Sequence, residues 1–354
     1  MSAARDRHAA PDAPVDPDAA RVRRVLVLTN GWPTAEHPEY AVFSRRQMDD
    51  LKALGIDYDV EFVNARDRGK AEYLRRLPHL ARRARDVDLV HCFHGLSLLL
   101  ATMGGVRKPM VTSYLNALEN EFLDLPAPLR VAADAVSRRL LRRGRMGLIF
   151  KDRLPDWLRD DPLARYIPNG VTLDGFVPGD RAAARAALGL PQDALLLLFV
   201  SSKNIDRPQK RHDRFCEVLA AMQARHPQRA VQALALVSEP AERVKQFYHA
   251  ADVHVMTSDF EGSPNSVKEA MASALPVVAT NVGNVRLMTE GLAAARVVAP
   301  FSVEGFCDAI DAVTAAGRPA ELALRDSLMA QGLDAETVAR KVRRLYEDVA
   351  AARA

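Results

Sequence analysis

The densest chemistry in this chain is the stretch from Thr257 to Ala272, which places two carboxylates, Glu261 and Glu269, around a Gly262-Ser263-Pro264-Asn265-Ser266 segment. A strand-like run ending near Met256 precedes it, and the pattern that follows is helical. Ser263 suits the N-cap, and Pro264 suits the first helical position, where the missing N–H costs nothing. The unpaired N–H groups and positive dipole end of such a helix make a site for a diphosphate. Gly262 lets backbone come close to it. A carboxylate accepts two hydrogen bonds at once and so matches a vicinal diol. That chemistry offers Glu269, more than one turn inside the helix, to the hydroxyls of a ribose, and Glu261, in the loop before it, to a sugar ring. The same spacing has a plainer use, because Ser266 and Glu269 also form a Ser-x-x-Glu capping box.

A second cluster, Lys203-Asn204-Ile205-Asp206-Arg207-Pro208-Gln209-Lys210-Arg211, directly follows the apolar run Leu195 to Ser201. Cations at the carboxyl end of a strand are well placed to neutralise the charge that grows on a departing diphosphate, and Arg207 and Lys210 are the candidates. A basic loop standing alone is more often solvated, so this reading depends on the neighbouring glutamates. No Asp-x-Asp pair stands where a metal would bridge phosphates, and no divalent ion is expected.

The elements that must position these groups read as alternating strands and amphipathic helices, the pattern of parallel sheets built from βαβ units. Strands are expected at about 24 to 29, 58 to 63, 88 to 93, 109 to 113 and 146 to 150, with helices notably at 43 to 54 and 128 to 143. A second series runs through Leu195 to Ser201, Val231 to Val237, Asp252 to Met256, Pro276 to Ala279 and Ala295 to Val298. Two doubly wound α/β domains follow, over 21–168 and 169–333, with a break at Ile167-Pro168-Asn169-Gly170. The last helix, 334–354, carries Val338, Val342, Leu345 and Val349 as an apolar stripe that either docks on the second domain or crosses back to the first.

A length of 354 residues fits two such domains. Residues 1–20, rich in Ala, Pro and Asp, read as a disordered tail rather than a secretory signal. The longest apolar runs are strand-sized, well short of the ~20 residues of a membrane span. Cys92, Cys216 and Cys307 form no metal-ligand spacing and suit a reducing cytoplasm. Net charge is +4, and the excess is concentrated in Arg75, Arg76, Arg82, Arg83 and Arg85, then Arg138, Arg139, Arg142, Arg143 and Arg145. Solvated helix faces are the ordinary reading of these runs. The alternative is an anionic membrane surface, ahead of nucleic acid because no aromatic residues alternate with the arginines.

The phrase from Ala250-Ala251-Asp252-Val253 through Glu261 to Ala272 and on to Leu275-Pro276-Val277-Val278-Ala279-Thr280-Asn281-Val282-Gly283 resembles the donor-site signature of family 4 retaining glycosyltransferases of the GT-B fold. Ile167-Pro168-Asn169-Gly170-Val171, Arg185-Ala186-Ala187-Leu188-Gly189-Leu190 and Arg207-Pro208-Gln209-Lys210-Arg211 are similar echoes. The resemblance covers roughly 22 to 350, strongly in the C-terminal half. It implies two Rossmann-like domains with an interdomain cleft and a nucleotide sugar, such as a UDP- or GDP-sugar, as donor. It also implies ribose contact at Glu269, sugar contact at Glu261, and diphosphate contact at Arg207 and Lys210. Gly262, Ser263, Pro264, Asn265, Ser266 and Asn169 would complete the donor site. No cofactor is implied, and the expected acceptor is a glycan or a lipid-linked or small molecule.

The N-terminal half departs from that family. Ala41 stands where many members have a glycine beside the diphosphate. His94, in Asp88-Leu89-Val90-His91-Cys92-Phe93-His94-Gly95, is the candidate to touch sugar or acceptor, with packing or capping as the alternative. The segment Val111 to Ala117, with Tyr114 and Asn116 taken as acceptor-side residues, replaces the family's His-Gly-x-Asp loop. Glu119 and Glu121 can supply substitute carboxylates, although solvated loop residues are the plainer expectation. A sugar-nucleotide epimerase of the same architecture and a non-catalytic nucleotide-binding homologue are the rival readings. An NAD-dependent oxidoreductase is disfavoured because no Gly-x-Gly-x-x-Gly follows the first strand.

Overall fold

The computed structural model describes residues 21–353 apart from 39, 123–124, 143–145, 202–203, 238 and 240. The tail over 1–20, Arg143 and Arg145 of the second basic run, Lys203 of the basic loop and the side chain of Glu119 lie outside the described residues.

The first sheet has six parallel strands in the order β2-β1-β3-β4-β5-β6. They are β1 (Arg24–Thr29), β2 (Asp57–Phe62), β3 (Leu89–Phe93), β4 (Met110–Tyr114), β5 (Gly147–Phe150) and β6 (Ala164–Tyr166). The helices between them are α1 (Val42–Ala53), α2 (Ala65–Arg68), α3 (Ala71–Arg83), α4 (Gly95–Met103) and α5 (Ala127–Leu141). Alternate strand residues serve opposite faces, as the two-residue period of a strand demands. Leu26, Leu28, Val90, Cys92 and Leu148 pack with Leu80 of α3, Leu98 of α4 and Leu141 of α5. Val25, Val27, Leu89, Phe93, Val111 and Ile149 pack on the other side, with Met48 and Leu51 of α1.

The second sheet has five parallel strands in the order β11-β10-β9-β7-β8. They are β7 (Leu195–Ser201), β8 (Val231–Val237), β9 (Val253–Met256), β10 (Val277–Thr280) and β11 (Ala295–Val298). Helices α6 (Arg181–Leu188), α7 (His212–Arg225), α8 (Ala241–Ala250), α9 (Asn265–Ala272), α10 (Val285–Thr289), α11 (Val303–Thr314) and α12 (Arg318–Ala330) connect and cover them. Phe215 of α7 and Phe306 of α11 cover one face, and Tyr248 of α8 with Val267 and Met271 of α9 cover the other. The final helix, α13 (Ala335–Ala351), buries Val338, Val342, Leu345, Tyr346 and Val349 against the first sheet. Tyr346 hydroxyl meets His91 Nδ1 there at 2.6 Å.

The architecture is the two-domain parallel-sheet GT-B arrangement. β6 is an addition to the sequence reading: three residues of mixed burial, extending the first sheet at its edge.

Candidate active site

In open parallel sheets, ligands bind outside the carboxyl ends of strands where the strand order reverses. In the second sheet the reversal lies at β7, which has β8 on one side and β9 on the other. The loops leaving β7 and β9 are the two that carry the candidate residues. Thr257 hydroxyl ties them together by donating to the carbonyls of Lys210 (3.0 Å) and Arg211 (2.9 Å). Asp259 N–H adds a bond to Gln209 carbonyl at 2.9 Å.

This brings Lys210 Nζ to 2.7 Å from Glu261 Oε1, with both side chains nearly buried. Ser258 hydroxyl donates to the same oxygen at 3.0 Å. Burial pushes the Glu261 carboxyl upward, but the charge and hydrogen bond of Lys210, the Ser258 bond and the more distant charge of Arg207 outweigh it. The net shift is below the usual carboxylate value. Arg207 itself donates to Gln209 Oε1 at 2.9 Å. Lys210, Arg207 and Glu261 thus form one cluster.

The start of α9 differs from the sequence expectation. Helical residues begin at Asn265, and Pro264 occupies the cap without a side-chain cap bond. Ser263 is not the N-cap: its hydroxyl and carbonyl accept from Lys268 Nζ at 2.6 and 3.0 Å. The Lys268 ammonium is completely buried, and burial first, then the charge of Lys151, pulls it down to about 7 despite Glu269 and Glu261. The capping box does not form either. Ser266 hydroxyl meets His254 Nε2 at 3.2 Å, while Glu269 Oε2 accepts from Tyr248 hydroxyl at 2.8 Å and Oε1 from Arg46 at 3.1 Å. Asn169, Asn265 and Glu269 line one cleft with Phe43, Arg46 and Gln47 of the first domain.

At position 262 this loop tolerates no side chain. A Cβ there would lie 1.8 Å from the Leu115 carbonyl oxygen, and Asn116 Cα would be at 3.5 Å. The segment after β4 therefore closes directly on the loop that carries Glu261. Asn116 belongs to that contact, but Tyr114 does not belong to the acceptor side. Its ring is fully buried, stacked on Phe150 at 5.2 Å, with its hydroxyl 3.3 Å from Ser137 Oγ. It ends a strand whose side chains are all inside the domain.

Ala41 adopts a left-handed conformation (φ 52°, ψ 35°) at the start of α1, where a glycine would carry no strain. His94, at the end of β3, is also left-handed in φ (79°) and keeps 29% of its side chain exposed. Glu121, expected to be solvated, has no exposed side-chain surface and lies 3.5 Å from His94 Nδ1.

Sequence reasoning missed Arg46, Tyr248, Lys151 and Lys268. Lys151, the residue after β5, is completely buried, donates to Gln47 Oε1 at 3.0 Å, and is pulled down to about 7 by burial. Among the described residues, the grouping of metal-ligating types, Glu36, His37 and Asp67, includes none of the residues around Glu261.

Residues 197–316 match the family model described as Glycosyl transferases group 1. A D-inositol 3-phosphate glycosyltransferase of Geodermatophilus obscurus is 34% identical over 152 residues, 34% of this chain and 33% of that protein. A second, from Nocardia farcinica, is 30% identical over 199 residues, 48% of this chain and 42% of that protein. The chain thus spans about a third to two-fifths of the length of these curated relatives. Sucrose-phosphate synthase from Thermosynechococcus elongatus superposes with a TM-score of 0.71 at 18% identity, covering 93% of this chain and 100% of that one. The Anabaena HepE protein in complex with UDP-glucose superposes with a TM-score of 0.63 at 15% identity, covering 91% and 98%. The fold is therefore GT-B, and residues 197–316, within the C-terminal domain, are similar to the group 1 glycosyltransferases.

Proposed function

We propose that this chain transfers a hexose-type sugar, with retention at the anomeric carbon, from a UDP- or GDP-sugar to a glycan, lipid-linked or small-molecule acceptor. The observation that carries the reading is the Lys210–Glu261 pair beside Arg207 at the switch point of the second sheet, with Glu269 on the helix that follows. In this reading Glu269 takes the ribose diol. Arg207, Lys210 and the N–H groups at the start of α9 take the diphosphate as charge grows on it. Glu261 faces the sugar. Ser263, Pro264, Asn265 and Ser266 shape the helix start, and Asn169 closes the far wall. No divalent ion is required, because side-chain cations supply the positive charge. The resemblance to UDP-glucose-binding HepE supports a nucleotide sugar as donor.

The acceptor side supports work at the inner face of a membrane. The outer face of α5 exposes Leu129, Val131 and Val136 beside Arg139 and Arg142, and α3 adds exposed Leu74 and Arg75. α3 and α5 both pack on α4. Apolar side chains among arginines suit an anionic lipid surface, where each basic residue contributes about 1 kcal/mol. Part of the first arginine run is already neutralised, since Arg76 and Arg83 bind Glu61, Arg76 also binds Glu72, and Arg75 lies 3.7 Å from Glu72. The attraction is therefore smaller than the sequence alone implies. Among the described residues, no helix is long and apolar enough to cross a membrane.

The test is thermal shift against a panel of nucleotide sugars, followed by release of nucleoside diphosphate. Stabilisation by about 2.7 kcal/mol at 100 times the dissociation constant is the expected ceiling for one binder at that dose. A folded protein that responds to no nucleotide sugar contradicts the reading.

A further inference from the structure

The first domain holds a buried carboxylate with one oxygen unused. Glu121 Oε1 accepts from Gly95 N–H, the first residue of α4, at 2.5 Å. Its Oε2 is buried and, among the described residues, has no hydrogen-bond partner. A buried acceptor without a donor is costly, so it calls for a partner that arrives or turns toward it. The adjacent candidate is His94, whose Nδ1 lies 3.5 Å from the oxygen already in use, Oε1, so that a turn of the ring or of the carboxylate brings Nδ1–H to the unused Oε2. That distance is long for a hydrogen bond, and small rotations close such gaps when a site fills. The His94 backbone is held firmly, with N–H bonded to Ser113 carbonyl at 3.0 Å and φ at 79°. Ser113 and Tyr114 end β4, and the next residues, Leu115 and Asn116, are the ones that meet Gly262 beside Glu261. Gly95 explains the packing: a Cβ there would lie 2.8 Å from the Phe122 ring and 3.1 Å from Glu121 Cγ, so a larger residue would displace the carboxylate.

We infer that Glu121 is a positioning residue that holds His94 in its Nδ1–H tautomer, leaving Nε2 to accept a hydrogen bond from the acceptor hydroxyl at the cleft. A histidine ring has one acceptor nitrogen when neutral, and the partner of the other nitrogen decides which one it is. With a carboxylate at Nδ1, the acceptor is Nε2. This inference rests on the transferase reading for the identity of the hydroxyl, but not for the pairing itself. It gives the altered loop after β4 a role: Glu121 lies on the same loop that lacks the family's His-Gly-x-Asp residues.

Two measurements on the full chain test it. Long-range ¹H–¹⁵N spectra of His94 report the tautomer without any substrate. Hydrolysis of UDP-glucose or GDP-mannose, with water in the acceptor's place, and calorimetry of UDP and GDP report function. Glu121→Gln keeps an oxygen for Gly95 N–H, and so keeps the cap on α4, but turns an NH₂ donor toward His94. It is expected to switch His94 to Nε2–H and lower turnover about tenfold, with nucleotide affinity unchanged. His94→Gln is expected to lose turnover to a similar degree. An Nε2–H tautomer in the unaltered protein overturns the inference, as does a folded Glu121→Gln variant with unchanged tautomer and turnover, which would leave Glu121 as a helix cap alone. Failure of the transferase reading looks different: the unaltered protein binds no nucleotide, while the spectra still decide the pairing.

Discussion

Arg46 of α1 donates to Glu269 Oε1 at 3.1 Å across the cleft between the two domains, so the carboxylate assigned to the ribose is already held by the opposite domain. Tyr248 takes its other oxygen at 2.8 Å. Arg46 also lies over the Phe176 ring, 5.9 Å from its centroid. A ribose must then displace Arg46 or share the carboxylate with it. Arg46 is 43% exposed, which limits the strength of the pair to ~1 kcal/mol. Arg46→Ala is expected to tighten nucleoside diphosphate binding by up to about fivefold in calorimetry. Weaker binding would make Arg46 a donor contact instead.

Tyr248→Phe removes the hydroxyl that holds Glu269 Oε2 without changing the buried ring, which packs edge-on against Phe176 at 5.6 Å. A hydrogen bond to a charged group contributes about 1.5 to 3 kcal/mol. Because the bond is made in the free protein, stability should fall by about that amount in urea melts, and nucleotide affinity should fall by a smaller factor as Glu269 loses its fixed orientation, with the fold retained by circular dichroism. Unchanged affinity would separate Tyr248 from the site.

Gly262→Ala places a methyl where the Leu115 carbonyl oxygen stands 1.8 Å away. Backbone cannot yield as a flexible side chain does, so the two domains must part. Turnover of a nucleotide sugar should drop at least about a hundredfold, because misplacement by an ångström at a reacting centre has that effect. Binding of nucleoside diphosphate, which depends on the second domain, should change little. Equal loss of both would show that the loop, not the closure, was damaged.

The two buried lysines give the stability a defined pH dependence. Lys151 and Lys268 both sit at about 7 in the folded protein, against 10.5 for an exposed lysine. Between those values the unfolded chain binds more protons than the folded one, so stability rises with pH from about 7 to 10.5 and is flat below that window. Urea midpoints at several pH values should show this rise, and Lys268→Met should reduce it by about half, leaving the part due to Lys151. The variant retaining the full rise would mean that Lys268 stays protonated when folded.

Much of the frame was legible because burial writes itself into short apolar runs: Leu195 to Ser201 became β7, and Val231 to Val237 became β8, residue for residue. Around Glu261 local signals show a loop followed by a helix, but the need for glycine at 262 comes from the Leu115 carbonyl of the other domain, which no local pattern contains. The start of α9 was misplaced by one residue because Lys268 claims the Ser263 hydroxyl, a contact that capping preferences do not include. Tyr114 looks like an acceptor-side residue because its segment lies between a strand and a loop, and only the pairing with β5 shows that the ring stacks on Phe150. A solvated residue is the plain local reading of Glu121, because no local pattern reveals that α4 begins at its carboxylate. Arg46 and Glu269 are more than two hundred positions apart, and only the way the domains meet joins them.

The central claim is that Glu269 holds a ribose and Glu261 a sugar, and calorimetry of nucleoside diphosphate binding to Glu269→Ala and Glu261→Ala tests it most directly. Loss of Glu269 removes a charged hydrogen-bond acceptor, and each bond to it contributes roughly 1.5 to 3 kcal/mol. Affinity for UDP or GDP should therefore fall at least about tenfold in Glu269→Ala. In Glu261→Ala it should stay nearly unchanged while turnover of the sugar nucleotide drops. Undiminished nucleotide affinity in a folded Glu269→Ala protein would contradict the account.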